Sequence, residues 1–221
     1  MLYVVPTPIG NLEDITFRAV QTLRNVNVIL AEHPQHSRIL LKHYHIATPV
    51  LAYHQHNEHR LASVLAERMA AGERMALISD AGTPGISDAG YLLVRRCIDA
   101  GVVVTCLPGA TAFVPALIVS GLPAHEFLFC GFLPAKKGRR SRLEQLAIEP
   151  RTLLLYEAPH RLRQLMEEVV THFGPDRRLC ICRELSKLHE SVWRGTAVQA
   201  LQTLSEQEMR GEVVVVIEGK A

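Results

Sequence analysis

Two rhythms of apolar and polar positions run through the first half of the chain. Short apolar runs at "LYVV" (2–5), "VNVILA" (26–31), "PVLAY" (49–53), "MALIS" (75–79) and "VVVTCL" (102–107) are partly β-branched and bounded by turn residues, which predicts strands. Between them, "EDITFRAVQTLRN", "SRILLKHYH", "EHRLASVLAERMAAG" and "DAGYLLVRRCIDAG" carry apolar residues at spacings of three and four, the mark of a helix with one apolar face. Two of these end in a glycine suited to a helix C-cap. Strand and helix in alternation predict a parallel sheet with flanking helices.

The rhythm changes after "PGATAFVPALIVSGLP" (108–123). "FLFCGFLP", "RTLLLYEAP", "RLCICREL", "SVWRGT" and "EVVVVIEG" are strand-like, and the helices between them are fewer, chiefly "HRLRQLMEEVVTHFG" and "TAVQALQTLSEQ". The expected class is α/β in two domains: residues 1–115 with a parallel sheet, and residues 116–221 forming an α+β domain with a mixed sheet.

Composition narrows the class without naming an activity. The chain has 221 residues, 48% of them apolar and 21% charged, which suits a soluble globular protein with a substantial core. A net charge of +2 means that any basic surface must be local. No window approaches the ~18 apolar residues of a spanning helix, and "MLYVVPTPIGN" reaches a turn without a basic leader, so the expectation is a cytoplasmic protein with no membrane partner. Five cysteines are scattered over apolar stretches and read as buried thiols in a reducing compartment, with Cys180 and Cys182 sharing one face of a strand.

Three loops follow predicted strands of the first domain: "TPIGN" (7–11), "DAGTPGISD" (80–88) and "PGATA" (108–112). In an open parallel sheet the carboxyl ends of the strands line the binding crevice, so a ligand is expected there, against the alternative of ordinary tight-turn chemistry. The fingerprints of dinucleotide and P-loop sites are missing. Asp80 and Asp88, with no lysine beside them, would repel a phosphate and accept hydroxyls or an amino group. Seven of the eleven histidines fall between His33 and His59, and His54 and His56 could face one ion from one strand; the others sit in different elements, so no metal is expected.

Cations concentrate in "PAKKGRRSR" (134–142), where Lys136, Lys137, Arg139, Arg140 and Arg142 surround a glycine. The run reads either as a solvated loop between strand and helix or as a contact to an RNA backbone. "YEAPHRL" (156–162) opens a helix at Pro159; Glu157 reads there as a helix cap, and His160 and Arg161 as facing water. "CRELSKLHE" (182–190) mixes Arg183, Glu184, Lys187 and His189, which reads as a surface ion-pair network.

Taken in order, "LYVVPTPIGNLEDIT", "SDAGTPGISDAGY", "FLPAKKGRR", "YEAPHRL", "RELSKLHE" and "GEVVVVIEG" resemble the bacterial small-subunit ribosomal RNA methyltransferase I family, part of the tetrapyrrole (precorrin/uroporphyrinogen) methylase superfamily, over essentially the whole chain. The resemblance implies the two-domain tetrapyrrole-methylase fold and S-adenosylmethionine-dependent 2′-O-methylation of a cytidine ribose in the decoding region of 16S rRNA. It further implies a homodimer acting on the 30S subunit, with the cofactor in the cleft between the domains and no metal. Members often continue past the "IEG" strand, a segment this chain is expected to lack. Carried over residue by residue, the cofactor set is Pro8, Gly10, Asp80, Gly82, Thr83, Gly85, Ile86, Ser87, Gly109, Thr111, Ala112, Glu157 and Ala158. The RNA set is Lys136, Lys137, Arg139, Arg140, His160, Arg161, Arg183 and Lys187. Glu32, His54, His56, Glu157 and Glu184 are unranked candidates for a base or acceptor at the ribose hydroxyl. Competing readings are a methyltransferase of tetrapyrroles or other small molecules, and a homologue that binds RNA or cofactor without catalysis.

One departure stands out. Where the family reads Ala-Glu-Asp-Thr-Arg after its second strand, this chain reads "AEHPQHSR", so His33, Pro34 and Gln35 remove a carboxylate and a cation at the sheet edge. Pro34 also deletes an N–H donor. Ala89, where proline is usual, is a smaller change.

Overall fold

Strand β1 (Leu2–Val4) is the axis of the first sheet, flanked by β4 (Met75–Ile78) and β5 (Val104–Cys106), with β2 (Val28–Ala31) and β3 (Val50–Ala52) beyond β4. The order is β3-β2-β4-β1-β5 and every pairing is parallel. The computed structural model describes residues 1–204 and 211–220, and the chain divides into the units Met1–Thr111 and Ala112–Ala221.

Period-two alternation sorts the first sheet's side chains between two cores. Leu2, Val4, Met75 and Leu77 face one cluster with Leu65 of α3 (Glu58–Ala70) and Leu93 of α4 (Tyr91–Asp99). Val5, Ala76 and Ile78 face the other with Leu23 of α1 (Phe17–Asn25) and Leu41 of α2 (Pro34–His43). Both faces are covered, which is why β4 reads as an unbroken apolar run, buried throughout. The connection leaving β1 goes to one face and that leaving β4 to the other, so the crevice at a topological switch opens between these neighbours.

Helix α1 begins where Thr16 Oγ1 accepts from Ala19 N–H at 3.1 Å. Helix α2 begins earlier than its apolar spacing predicts, because Pro34 occupies the first turn, where a missing N–H costs nothing.

The second unit opens with α5 (Phe113–Ser120), closed by Gly121 at φ 71°. Its sheet has the order β6-β7-β10-β8-β9, from β6 (Phe127–Phe132), β7 (Thr152–Glu157), β8 (Arg178–Arg183), β9 (Ser191–Thr196) and β10 (Val213–Ile217). Only β6 and β7 run parallel; the other pairings are antiparallel, giving the expected mixed sheet. Helices α6 (Arg139–Ala147), α7 (Leu162–Phe173) and α8 (Ala197–Leu204) complete it. The expected continuation of α8 through residues 205–207 lies outside the described residues. On β8, Cys180 and Cys182 are buried with sulfurs 3.6 Å apart, on one face as the alternation predicts.

The cationic run is not a loop throughout. It turns helical at Arg139, and Arg139 points inward with 4% of its surface exposed. Among the described residues no helix is long and apolar enough to cross a membrane.

Candidate functional site

All five strands of the first sheet end at one edge, and three loops there are tied to one another. Thr7 and Gly82 exchange backbone hydrogen bonds of 2.9 Å in both directions, joining the loop after β1 to the loop after β4. Thr7 Oγ1 also donates to Ser79 O at 3.0 Å. Thr83 Oγ1 donates to Ala110 O at 3.0 Å, joining the second loop to the one after β5. The third side of the triangle is a close approach: a β-carbon on Gly109 would lie 2.6 Å from Pro6 Cβ, so only glycine lets the loops meet. Gly82 sits at φ 78° at the centre of this arrangement, a conformation a side chain would strain. A triangle closed on every side is largely formed before a ligand arrives.

Within it, Pro8 is buried and Gly10 exposed, while Gly85, Ile86 and Ser87 lie on the outer surface of the second loop. Ser87 holds φ 66°, unusual for a residue with a side chain. Gly109 and Thr111 lie on the third loop; Ala112 and Ala158 belong to the second unit.

The departure noted in the sequence falls on this edge. His33 Nδ1 lies 2.6 Å from Asp80 Oδ2. The parallel register explains the meeting: Ala31 and Ile78 are partners in the β2–β4 ladder, and His33 and Asp80 each follow two residues later. The hydrogen bond and charge of Asp80 hold the imidazole above its ordinary value, with a smaller contribution from Glu32. Oδ1 of Asp80 is buried and has no hydrogen-bond partner, and the same is true of Nδ1 of His54 on the loop after β3. An unpaired buried polar atom costs about 1–3 kcal/mol, which a water or ligand hydrogen bond would relieve.

The other base candidates fare differently. Glu32 is half-buried at the end of β2. His54 Nε2 meets Asn57 Nδ2 at 3.2 Å, and its ring packs edge-on against His56 at 5.8 Å. Among the described residues no three His, Cys, Asp or Glu side chains converge as a metal would need. Glu184 is committed elsewhere: Lys187 Nζ donates to it at 2.8 Å and Glu212 N–H at 2.8 Å. The Lys187 hydrogen bond holds its carboxyl below the usual range, which makes it a poorer base.

Glu157 is enclosed at the end of β7. Its Oε2 accepts from Arg139 at 2.9 Å, and its Oε1 accepts from Ala158 N–H at 2.9 Å and lies 2.9 Å from Arg161 Nε. Arg139 also pairs with Glu168 at 2.8 Å. The Arg161 contact is an ion pair by distance only, since its Nε–H does not point at the oxygen. With its side chain 0% exposed and both oxygens engaged, Glu157 is a structural carboxylate rather than a base, a correction to its candidacy. Arg139 likewise leaves the RNA set, because its guanidinium is spent on two internal carboxylates.

Of the remaining cations, Lys136, Lys137 and His160 are exposed, and Arg140 is exposed while pairing with Glu144 at 2.8 Å. Arg161 and Arg183 are partly covered, with Arg183 Nε donating to Ser191 Oγ at 3.4 Å. Lys187 is held by Glu184 and by Glu212 at 3.3 Å. A cavity of about 580 Å³ at the opposite end of the second sheet is lined by Arg151, Arg177, Glu218 and Lys220. Its arginines are internally engaged, Arg151 with Glu149 and Arg177 with the carbonyls of Glu218 and Ala147.

Comparison with known proteins gives this geometry a context. A family profile described as Tetrapyrrole (Corrin/Porphyrin) Methylases matches residues 1–201. The chain is 48% identical over 220 residues to the ribosomal RNA small subunit methyltransferase I of Synechocystis sp., covering 99% of this chain and 79% of that protein. The protein of the same name from Xylella fastidiosa is 49% identical over 224 residues, covering 100% and 82%, and that of Escherichia coli O157:H7 is 46% identical over 221 residues, covering 99% and 77%. Among solved structures, a uroporphyrin-III C-methyltransferase from Thermus thermophilus complexed with S-adenosylhomocysteine superposes with a TM-score of 0.68 at 22% identity, over 98% of this chain and 96% of that one. A cobalt precorrin-4 methyltransferase of cobalamin biosynthesis gives 0.73 at 16%, over 98% and 94%. The structural likenesses establish the two-domain fold that the motifs implied.

Proposed function

Because the chain belongs to the tetrapyrrole (corrin/porphyrin) methylase family, and within it to the ribosomal RNA small subunit methyltransferases I, we propose that it transfers a methyl group from S-adenosylmethionine to small-subunit ribosomal RNA. The acceptor in this reading is the 2′-hydroxyl of a cytidine ribose in the decoding region of 16S rRNA. The enzyme works in the cytoplasm as a homodimer on the 30S subunit. The observation that carries the reading is identity of 46–49% to proteins of that name along the whole chain.

The site's chemistry supports the cofactor. S-adenosylmethionine offers a methyl group on a cationic sulfur, with an amino group and ribose hydroxyls as donors. The unpartnered Asp80 Oδ1 is a buried anionic acceptor of the kind such donors need, and the small residues of the three loops let backbone approach closely. Transfer of a methyl group in line asks the protein chiefly to align the reacting atoms and exclude water, which suits loops tied into a closed triangle. Lys136, Lys137 and Arg140 supply exposed positive charge for an RNA backbone, with His160 exposed beside Arg161 in sequence.

Methyl transfer from labelled cofactor to 30S subunits, mapped by primer extension at low dNTP, tests the proposal. The expected result is a stop beside one cytidine of the decoding region. Cofactor binding without any ribose methylation would replace the enzyme by a binding protein, and methylation of a tetrapyrrole instead would move the substrate to another branch of the family.

A further inference from the structure

We infer that His33 and Asp80 form a proton-accepting dyad, in which Asp80 holds the imidazole through Nδ1 and His33 Nε2 takes the proton of the acceptor hydroxyl. The inference rests on the proposed methyl transfer to a ribose, and it names a catalytic residue in the segment where this chain departs from its family's pattern.

The geometry is that of an oriented base. A carboxylate 2.6 Å from Nδ1 fixes that nitrogen as the donor, which leaves the lone pair on Nε2. The His33 side chain is 66% exposed, and no hydrogen bond to its Nε2 forms among the described residues, which leaves that atom open to an incoming hydroxyl. Asp80 is the more buried partner, at 34%, and is anchored at the end of β4, the strand buried along its whole length. Its two oxygens have different work: Oδ2 holds His33, and Oδ1 is enclosed and unpaired.

That division matches the charge flow of the reaction. The ribose 2′-oxygen forms a bond to the methyl carbon as the carbon–sulfur bond breaks, the electron pair of that bond stays on sulfur, and the hydroxyl proton passes to Nε2. One positive charge is lost on sulfur and one is gained on the imidazole, so the Asp80 carboxylate beside the dyad counters the cation that forms. Asp80 and Glu32 are the charged groups acting on His33; His36 in the first turn of α2 and His54, in the corresponding row beyond β3, are the neighbouring titratable ones. With both carboxylates holding the imidazole above its ordinary 6.5, the base is unmasked as pH rises through that raised value.

His33→Asn separates the roles, since its amide can still donate to Asp80 but has no basic nitrogen. We expect S-adenosylhomocysteine affinity by isothermal titration to stay within about threefold. Single-turnover methylation of 30S subunits at pH 8 should fall by about 100-fold or more and lose its rising limb with pH. Independently of activity, long-range proton–nitrogen NMR of the chain alone should show His33 in the Nδ1–H form with a midpoint above 6.5, moved down by Asp80→Asn. The opposite tautomer, or a His33→Asn enzyme within threefold of an active parent, overturns the dyad and leaves the ribose methylation intact. A parent chain that binds S-adenosylhomocysteine yet methylates nothing overturns both.

Discussion

Two carboxylates, Asp80 and Glu157, each lie at the end of a buried strand, and their surroundings are opposite. Both carboxyl oxygens of Glu157 accept hydrogen bonds, from Arg139 and from the Ala158 amide, with Arg161 close by. Asp80 gives one oxygen to an exposed histidine and keeps the other enclosed without a partner. A carboxylate with both oxygens bonded is fixed in place, whereas one with an unbonded oxygen keeps capacity for a further donor. Arg161 Nε beside Glu157 is itself unpaired, so the contrast lies in the carboxylates. The contrast separates scaffold from site more sharply than residue type does, since both acids stand in motifs shared with the family.

The contrast breaks most visibly by cutting the completed network. Arg139→Ala strands Glu157 without its main partner and should lower the unfolding free energy by about 3–5 kcal/mol in urea, whereas Arg139→Leu combined with Glu157→Leu should recover most of that loss. Asp80→Ala should do the reverse, weakening S-adenosylhomocysteine about tenfold by isothermal titration while changing stability by less than about 1 kcal/mol. A smaller effect is expected from reversing the two exposed lysines: Lys136→Glu with Lys137→Glu should reduce the slope of log affinity for RNA against log salt by about 1.4, with cofactor affinity unchanged. The smallest concerns pH. Glu184 is held below 4.5 in the folded chain, so its contribution is present above that value and lost as pH falls through the folded one; Glu184→Gln should flatten the acid limb of a stability–pH curve by under about 1 kcal/mol. His33, held above 6.5, works with the opposite sign, adding stability below 6.5 that fades as pH rises through its folded value.

The strands of the described residues were legible because most are short apolar runs bounded by turn residues, and the three loops because each follows such a run in the first unit. Helix α5 was hidden, since "FVPALIVS" is apolar all round and offers no periodicity. The start of helix α6 was hidden for the complementary reason: a dense cationic stretch reads as a solvated loop before the helix, and only the placement of Glu157 and Glu168 shows that Arg139 turns inward. The His33–Asp80 pair depends on the register of two strands 47 positions apart. The signal that could have found it is that "AEH" and "ISD" end neighbouring parallel strands, so residues in corresponding positions past each end fall side by side.

The tied loops also set when the site comes into being. The Thr7–Ser79 hydrogen bond spans 72 positions, and Pro6 meets Gly109 only after the final strand of the first unit exists. Such distant closures make slow, late steps in folding, because the loop entropy is spent before the contact forms. During synthesis the nascent chain therefore holds the loops after β1 and β4 for some seconds before the third loop arrives to close the triangle.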